Sequence, residues 1–427
     1  MKRAQAFALP LLFFPIWLYG QQQSLTLEDA LRRFRTRGFD LIIADASVVS
    51  AQGDLTIAKA IANPSLSFAS GNSFNYDPSL CAGCSSTSIS AGVTDQAVIS
   101  DALTGKRRLR IAVARAALDA SRRSRADIER TLEFTVKQQV LNAELAKQSL
   151  AYAVESQQLG ADTLKLVDIR YKAGAVSEAD VARAEVQKLE ADQAVDIARQ
   201  TLDSAKAALA YLLGYSETPS DLDVADDLTH SGGLRENVSL DALLPEALSN
   251  RPDLAATRFQ VQRSSSALLL AKRQRIPDLF PSVSYAQEGS GQSAIQPPTL
   301  TFGVSFSPPI FYHYRGEITK AEADLQTQRV TAQKTEAQVG SDLATAIAAY
   351  VSAQSRTARM EGRLLEEAAR ARDLVRLQYQ KGAASLFEFL DAQRTFLATR
   401  TEYIQTLNDY WTAVFQLEQA TGTELRQ

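Results

Sequence analysis

Residue types that carry most enzyme and metal chemistry are scarce in this sequence. Its 427 residues include two cysteines, two histidines and two methionines. The histidines, His230 and His313, lie far apart in the chain, and the sequence contains no nucleophile elbow, phosphate-binding loop or paired-carboxylate motif. We therefore expect no catalytic site, no resident metal and no cofactor.

The two cysteines, Cys81 and Cys84, lie close together in the motif CAGC. A redox or zinc centre would call for a flanking strand–helix pattern or a second pair of cysteines, and the sequence has neither. A small loop disulfide, formed in an oxidising compartment, is the simpler interpretation.

Neither sign of charge is in large excess. The 46 Lys+Arg and 49 Asp+Glu residues give a formal net charge of −3, so we expect no nucleic-acid partner. Two basic clusters, Gly105–Arg110 and Ser121–Arg125, lie in a predicted long helix near Glu129 and Glu133. Mixed charge on a helix favours a solvent-exposed face over a nucleic-acid site.

Long apolar runs are confined to the N-terminus. Lys2 and Arg3 precede an apolar stretch from about Ala6 to Leu18, which is typical of a secretory signal. We predict a signal peptide over residues 1–20, so that the mature chain begins near Gln21, outside the cytoplasm. Beyond it we find no run of about 18 apolar residues and predict no transmembrane helix.

The sequence contains a long internal duplication. The segment RYKAGAVSEADVARAE, near residue 170, aligns with QYQKGAASLFEFLDAQ, near residue 378, at an offset of 208 positions. PSLSF at Pro64–Phe68 likewise aligns with PSVSY at Pro281–Tyr285. We predict two copies of one domain, residues 21–214 and 238–427, joined by a linker at 215–237.

Both copies show the same predicted order of helix, two strands, long helix, glycine turn and helix. The first helices are predicted at about Thr26–Asn63 and Ser239–Ile276. The long helices are predicted at about Lys106–Lys172 and Gly316–Lys381, which contain no proline. Apolar positions recur at intervals of three and four, as in a long antiparallel coiled coil or bundle.

The clearest strand pattern is LTFGVSFS, near residue 300. Leu300, Phe302, Val304 and Phe306 alternate with small or polar residues at a period of two. Similar alternation occurs near residues 65–68, 88–94 and 282–285. An apolar outer face with a polar inner face is the pattern of a transmembrane β-barrel. The alternative is a soluble sandwich, in which a second layer buries the apolar face.

Four strands are too few to close a barrel. An open sheet edge cannot lie in lipid, because its backbone groups would lack hydrogen-bond partners. We therefore expect three chains to contribute four strands each to one twelve-stranded barrel with a water-filled interior.

The predicted signal, the duplicated helix–strand order and the Tyr-x-x-Gly turns resemble the TolC-like outer-membrane efflux proteins over essentially the whole mature chain. The motifs that carry the resemblance are SLTLEDAL, NPSLSF, SNRPDLAA, YKAG and YQKG. The resemblance implies a mainly α fold with a small β part. It also implies a homotrimer with a twelve-stranded outer-membrane barrel and an α-helical tunnel across the periplasm.

Proteins of this family are passive exit ducts without a catalytic site. They dock through a periplasmic adaptor onto an inner-membrane pump. The alternative that the residues leave open is a periplasmic coiled-coil adaptor or structural protein without its own pore.

The resemblance also implies roles for individual residues. The two turns would be periplasmic tips that contact the adaptor, through Tyr171, Gly174, Ala175, Gly382 and Ala383. The positions that match the acidic ring of the closed entrance are Glu388 and Asp391.

Asp180 and Tyr379 match a latch of hydrogen bonds between neighbouring tips. Ala384 stands where some relatives carry a latch arginine, so we expect this tip to be closed less firmly. Leu300, Phe302, Val304 and Phe306 would face outer-membrane lipid. The basic cluster Gly105–Arg110 would then lie near lipid headgroups, as an alternative to an exposed helix face.

Overall fold

The computed structural model describes residues 24–74, 77, 79, 85–219, 222–225, 238–289 and 297–425. The predicted signal peptide at 1–20 lies outside these residues, and so does the candidate disulfide of Cys81 and Cys84. His230 and residues 220, 221 and 226–237 of the predicted linker also lie outside them.

The described residues are mainly helical, with a small β part, as the sequence predicts. The helices are α1 (Leu27–Arg37), α2 (Phe39–Lys59), α3 (Val98–Thr104), α4 (Lys106–Lys172), α5 (Glu178–Leu212), α6 (Leu240–Asn250), α7 (Pro252–Arg273), α8 (Arg315–Arg359), α9 (Leu365–Gln380) and α10 (Leu386–Thr421). The strands are β1 (Ser65–Asn72), β2 (Thr87–Thr94), β3 (Leu279–Glu288) and β4 (Thr299–Phe306).

The predicted first helix of each half is two helices in the structure. Gly38, with ψ 122°, separates α1 from α2, and Arg251, with ψ 120°, separates α6 from α7. Pro252 explains the second break, because proline disfavours the helical conformation in the residue before it and suits the first position of a new helix.

The second long helix is also interrupted. A π-helical turn at Met360–Leu364 joins α8 to α9, whereas α4 runs unbroken over the residues predicted for it. A single π-helical turn leaves both flanking helices intact. It changes the spacing of the apolar residues too little to be predicted from the sequence.

The chain forms two compact units, and each draws on both halves of the sequence. The turn unit comprises the described residues of Met1–Thr36, Val136–Thr229 and Ala368–Asn408. The sheet unit comprises those of Arg37–Thr135, His230–Glu367 and Asp409–Gln427. Both glycine turns belong to the turn unit, and all four strands belong to the sheet unit.

The sheet is antiparallel throughout, in the order β1-β2-β3-β4. Residues paired across antiparallel strands share a face. One row across the sheet is apolar: Leu66, Val93, Val283 and Phe302. The adjacent row, on the other face, is small and polar: Ser67, Gly92, Ser284 and Thr301. The predicted alternation is therefore present in all four strands.

The apolar face of the sheet is exposed. Phe302 is 75% exposed and Leu66 is 77% exposed, so no second layer covers this face within the described residues. A sandwich would bury these side chains, and that alternative is wrong.

One helical stretch among the described residues, Leu27–Lys59, is long and apolar enough to cross a membrane by length and composition alone. The expectation that no apolar stretch of about 18 residues follows the predicted signal is therefore wrong. Gly38 interrupts the helix, and Asp45 in α2 accepts a 2.7 Å hydrogen bond from Arg125 Nε. A paired charge in the stretch and a break near its start argue against a membrane span.

Candidate gate and docking turns

The two glycine turns have the same backbone geometry. Gly174 and Gly382 have φ of 73° and 78°, in the left-handed region that glycine adopts at little cost. The following N–H groups, of Ala175 and Ala383, donate to the carbonyl oxygens five residues back at 2.8 Å in both turns. This hydrogen bond, with a second one from each glycine, is the Schellman arrangement that ends a helix.

The helices that follow the turns begin in the same way. Ser177 N donates to Asp180 Oδ2 at 3.1 Å, and Asp180 N donates to Ser177 Oγ at 3.3 Å. Ser385 and Glu388 repeat this reciprocal pair at 2.7 Å and 3.3 Å. Each pair is a capping box, which satisfies two of the backbone N–H groups left free at a helix start.

These hydrogen bonds also set the protonation of the two carboxylates. The side-chain and backbone hydrogen bonds from Ser177 hold the pKa of Asp180 below its ordinary value. The backbone and side-chain hydrogen bonds from Ser385 do the same to the pKa of Glu388. Both side chains accept hydrogen bonds best when ionised, so both carry negative charge at neutral pH.

The two tyrosines of the repeated turn have different surroundings. Tyr171 is 43% exposed, whereas Tyr379 is 1% exposed. The Tyr379 ring stacks on Phe389 with centroids 5.3 Å apart, in a core with Val167 and Leu386. Tyr171 is therefore exposed at the turn, and its docking role stays a prediction, while Tyr379 is part of the core beneath the turn.

Arg170 joins the two turns within one chain. Its Nη1 donates to the carbonyl oxygen of Tyr379 at 2.8 Å, and its guanidinium carbon lies 4.5 Å from the centre of the Tyr379 ring. Burial raises the pKa of Tyr379, and the guanidinium opposes this effect. No pattern in the sequence indicates this contact.

The proposed latch residues do not bond to each other within the chain. Asp180 accepts hydrogen bonds from Ser177 and Arg183. The Tyr379 hydroxyl is buried and has no hydrogen-bond partner among the described residues. A latch between neighbouring chains stays a prediction.

Helix α10 places the two gate candidates on one exposed face. Glu388 and Asp391 are both exposed, whereas Phe389 and Gln393, between and beyond them, are buried. Arg394 lies on the same exposed face, and its Nη2 is 2.9 Å from Asp391 Oδ1. The acidic face therefore includes a cation that sequence reasoning missed, although the spacing of three residues is typical of helical ion pairs.

An open groove of about 520 Å³ runs between α5 and α10 in the turn unit. Its apolar side chains include Val186, Leu390 and Leu397. Its charged side chains are Arg183, Glu190, Asp391 and Arg394. Two helices with an apolar groove and charged rims offer a docking geometry for a further helix.

The described residues contain no group of three or more His, Cys, Asp or Glu side chains that could hold a metal ion. Charged residues in the turn unit instead pair with oppositely charged neighbours. Arg400 Nη1, for example, lies 2.7 Å from Glu155 Oε2 and stacks over the Tyr152 ring.

The family model for outer membrane efflux proteins matches residues 30–215 and 243–423. The chain belongs to this family. The two matched segments fall in the two halves of the sequence, and together they contain both turns, all four strands and the gate candidates. The resemblance inferred from the turns and strands is thereby confirmed.

Several proteins are similar over nearly their whole length. The cobalt-zinc-cadmium resistance protein CzcC of Cupriavidus metallidurans is 23% identical over 410 residues, which cover 93% of this chain and 90% of CzcC. The pyoverdine export outer membrane protein OpmQ of Pseudomonas aeruginosa is 27% identical, covering 89% of this chain and 81% of OpmQ. The crystal structure of CusC superposes with a TM-score of 0.78 at 20% identity, covering 94% of this chain and 93% of CusC.

This outer membrane efflux protein is thus an outer-membrane channel, and the family consists of efflux channels rather than enzymes. The alternative, a periplasmic adaptor or structural protein without its own pore, is therefore wrong.

Proposed function

We propose that this channel is the passive exit duct of a tripartite efflux system and that it works as a homotrimer. The four-stranded sheet carries this proposal. Strands β1 and β4 are its two edges in a single chain, and its apolar face is uncovered. In lipid, unpaired edges would leave backbone groups without partners at a cost of several kcal/mol each, about 2–7 by transfer estimates.

Pairing between chains removes both edges. If β4 of one chain pairs with β1 of the next, three copies form a closed barrel of twelve strands. The apolar rows then face lipid through residues such as Phe302 and Val304. The small Ser, Thr and Gly rows face a water-filled interior.

The mass of the detergent-solubilised protein tests the assembly. Light scattering with the detergent contribution subtracted should give three mature chains for protein extracted from the outer-membrane fraction. A stable monomer in that fraction would contradict the shared barrel, because four strands alone cannot close one.

The two glycine turns are the adaptor-docking tips in this proposal. Tyr171, Gly174, Ala175, Gly382 and Ala383 are all exposed, and no atom lies within 4 Å of a Cβ added to either glycine. The groove between α5 and α10 provides a second surface for an adaptor helix. The adaptor connects the duct to an inner-membrane pump, which selects the cargo.

A disulfide-crosslinking scan would test the docking surface. With Cys81 and Cys84 replaced by serine, single cysteines at Ala175 and Ala383 should form disulfides, on addition of an oxidant, with cysteines introduced along the cognate adaptor, and a cysteine at the exposed Val330 of α8 should not. Equal crosslinking at all three positions would indicate non-specific contact and would contradict docking at the turns.

We also propose that the gate lies at the start of α10. Glu388 and Asp391, repeated three times, would narrow the entrance and repel anions. Arg394 weakens this field, so the selectivity for cations is moderate. In each neighbouring pair of chains, Asp180 and Tyr379 would form the latch, which requires the turn to rearrange so that the Tyr379 hydroxyl, buried in its own chain, becomes accessible.

The paired turns support the predicted duplication as well. Residues 21–214 and 238–427 each contain one Schellman turn followed by one capping box. The linker at 215–237 joins these two copies.

A further inference from the structure

The short helix α3 buries polar side chains and exposes apolar ones. Ser100 and Asp101 are buried, at 0% and 8% exposure, whereas Ile99 and Leu103 are 49% and 73% exposed. A helix on a water-facing surface shows the opposite arrangement, with its apolar residues inward. The exposed side of α3 is therefore suited to an apolar medium.

The buried polar side chains of α3 form a hydrogen bond and an ion pair with other parts of the chain. Ser100 Oγ donates to Asp278 Oδ1 at 2.9 Å, and Asp101 forms an ion pair with Arg110. Lys106 Nζ, directly after the helix, donates to Asp278 Oδ1 at 2.8 Å and to the carbonyl oxygen of Ile276 at 2.7 Å. These contacts leave α3 little freedom to turn its apolar side inward.

Helix α3 lies at the helix-side end of the sheet, where β1 and β3 begin and β2 and β4 end. Asp95, which follows β2, donates its N–H to the carbonyl oxygen of Pro281 in β3 at 2.8 Å. The Asp95 carboxylate also accepts hydrogen bonds from the N–H groups of Val98 and Ile99, at the start of α3.

A second apolar segment lies at the same end of the sheet. After β4, Ile310 is 68% exposed and Phe311 is 98% exposed. The next residue, Tyr312, is held in place, since its hydroxyl is 2.7 Å from Glu317 Oε2 and accepts from Gly316 N at 2.9 Å. An almost fully exposed phenylalanine beside a fixed tyrosine is typical of a membrane–water interface.

Basic residues surround this end of the sheet. Helices α2 and α7 lead into β1 and β3, and their last turns contain basic residues. We call the following exposed set the basic collar: Lys59, Arg108, Lys272 and Arg273. Asp95, Asp101 and Asp278, at this end, accept hydrogen bonds from within the chain. Lys272 Nζ lies 3.5 Å from Glu322 Oε1, so the outward positive charge of the collar comes from Lys59, Arg108 and Arg273.

We propose that α3 is an interfacial anchor in the periplasmic leaflet of the outer membrane. Ile99 and Leu103 contact the upper part of the phospholipid acyl chains, and the basic collar binds anionic phospholipid headgroups. The inference rests on the proposed function, because it requires the sheet to span the membrane.

The topology favours lipid over a second copy of the chain as the occupant of this surface. Neighbouring chains in the proposed barrel pair with the edge strands β1 and β4. Helix α3 follows the central strand β2 and contacts the central strand β3. It therefore lies away from the joints between chains.

Tryptophan fluorescence with brominated lipids tests the anchor. The mature chain has one tryptophan, Trp411, because Trp17 lies in the predicted signal. In a Trp411→Phe background, Leu103→Trp and, as a matched control, Val330→Trp each provide a single reporter. Val330 is 51% exposed on α8. The trimer is reconstituted in vesicles of phosphatidylethanolamine and phosphatidylglycerol, brominated near the headgroup end of the acyl chain.

We expect strong quenching for Leu103→Trp and little for Val330→Trp. A blue-shifted but unquenched Leu103→Trp signal would mean that a neighbouring chain covers α3, and it would overturn the anchor. Phe311→Trp serves as a second reporter if the first variant does not assemble. Light scattering on the unsubstituted protein in detergent separates the two proposals, since absence of a trimer there would contradict the proposed function itself.

The headgroup part of the inference has its own test. Raising the phosphatidylglycerol fraction should increase the quenching of Leu103→Trp. Adding Arg108→Gln and Arg273→Gln should remove that dependence. If the dependence survives these changes, the basic collar does not bind the headgroups.

Discussion

Arg170, in the first half of the sequence, forms a hydrogen bond with Tyr379, in the second half. Its guanidinium donates to the Tyr379 carbonyl oxygen and lies over the Tyr379 ring, 4.5 Å from the ring centre. The contact within the chain therefore holds the two turns together.

Replacing Arg170 should loosen the closed tip. Arg170→Ala removes a charged hydrogen bond and a cation–π contact, together worth about 2–4 kcal/mol. We expect a higher open probability in planar-bilayer recordings. Arg170→Lys should be intermediate, because lysine keeps the charge but lacks the flat guanidinium. Lys172→Ala is the control, since Lys172 is 72% exposed and pairs only along its own helix with Asp168. Equal effects of Arg170→Ala and Lys172→Ala would contradict the role of Arg170.

The charges on α10 should change ion selectivity in opposite directions. Glu388→Gln removes a negative charge while keeping a side chain that can complete the capping box. We expect a weaker cation preference, measured as a smaller reversal potential in a KCl gradient. Arg394→Gln frees Asp391 from its ion pair and should strengthen the cation preference. If both variants retain the original reversal potential, these side chains do not line the constriction.

The cation preference should persist in acid. The Ser385 hydrogen bonds hold the pKa of Glu388 below the ordinary value of 4.5. The carboxylate therefore keeps its charge as the pH falls through 4.5 and loses it only below its lowered pKa. Ser385→Ala should move the loss of selectivity to higher pH. It also removes a helix cap at a cost of about 0.5–2 kcal/mol, so thermal unfolding should be recorded alongside. An unchanged pH profile in Ser385→Ala would exclude Glu388 as the titrating group.

Neighbouring residues on opposite faces of β4 should differ sharply in their tolerance of arginine. Phe302→Arg places a charge on the lipid-facing side, at a cost of about 2–4 kcal/mol near the bilayer midplane, and should prevent trimer assembly in the outer membrane. Thr301→Arg places the same side chain in the proposed water-filled interior and should assemble. The readout is the mass and yield of the protein extracted from the outer-membrane fraction. Normal assembly of Phe302→Arg would place this face elsewhere than in lipid.

The left-handed backbone of the turns makes a further prediction. Gly382→Ala meets no atom within 4 Å, so its cost comes from φ alone, about 1–2 kcal/mol. Gly340→Ala, in α8, also meets no atom within 4 Å, and it should stabilise the protein by up to about 1 kcal/mol. Thermal unfolding of the two variants should therefore shift in opposite directions. A shift in the same direction would mean that the turn does not depend on its glycine.

Much of the candidate site could be predicted from the sequence because the site is built from local patterns. The glycine turns, the serine–carboxylate pairs and the period-two strands each depend on residues within a few positions of one another. The exposure of Tyr171 and the burial of Tyr379 could not be predicted in this way. They occupy equivalent positions in the repeat, and only the surrounding helices make one exposed and the other buried.

Local sequence patterns therefore account for the bounds of α4, the alternation of the strands and the position of both turns. Each follows from backbone propensity or side-chain periodicity over short stretches. Contacts between residues far apart in the chain depend on tertiary packing. Arg170 reaches Tyr379 across 209 positions, and Ser100 reaches Asp278 across 178. Contacts over such separations depend on how helices and strands pack against one another, and the packing, rather than any local pattern, buries the polar side of α3 and leaves its apolar side exposed.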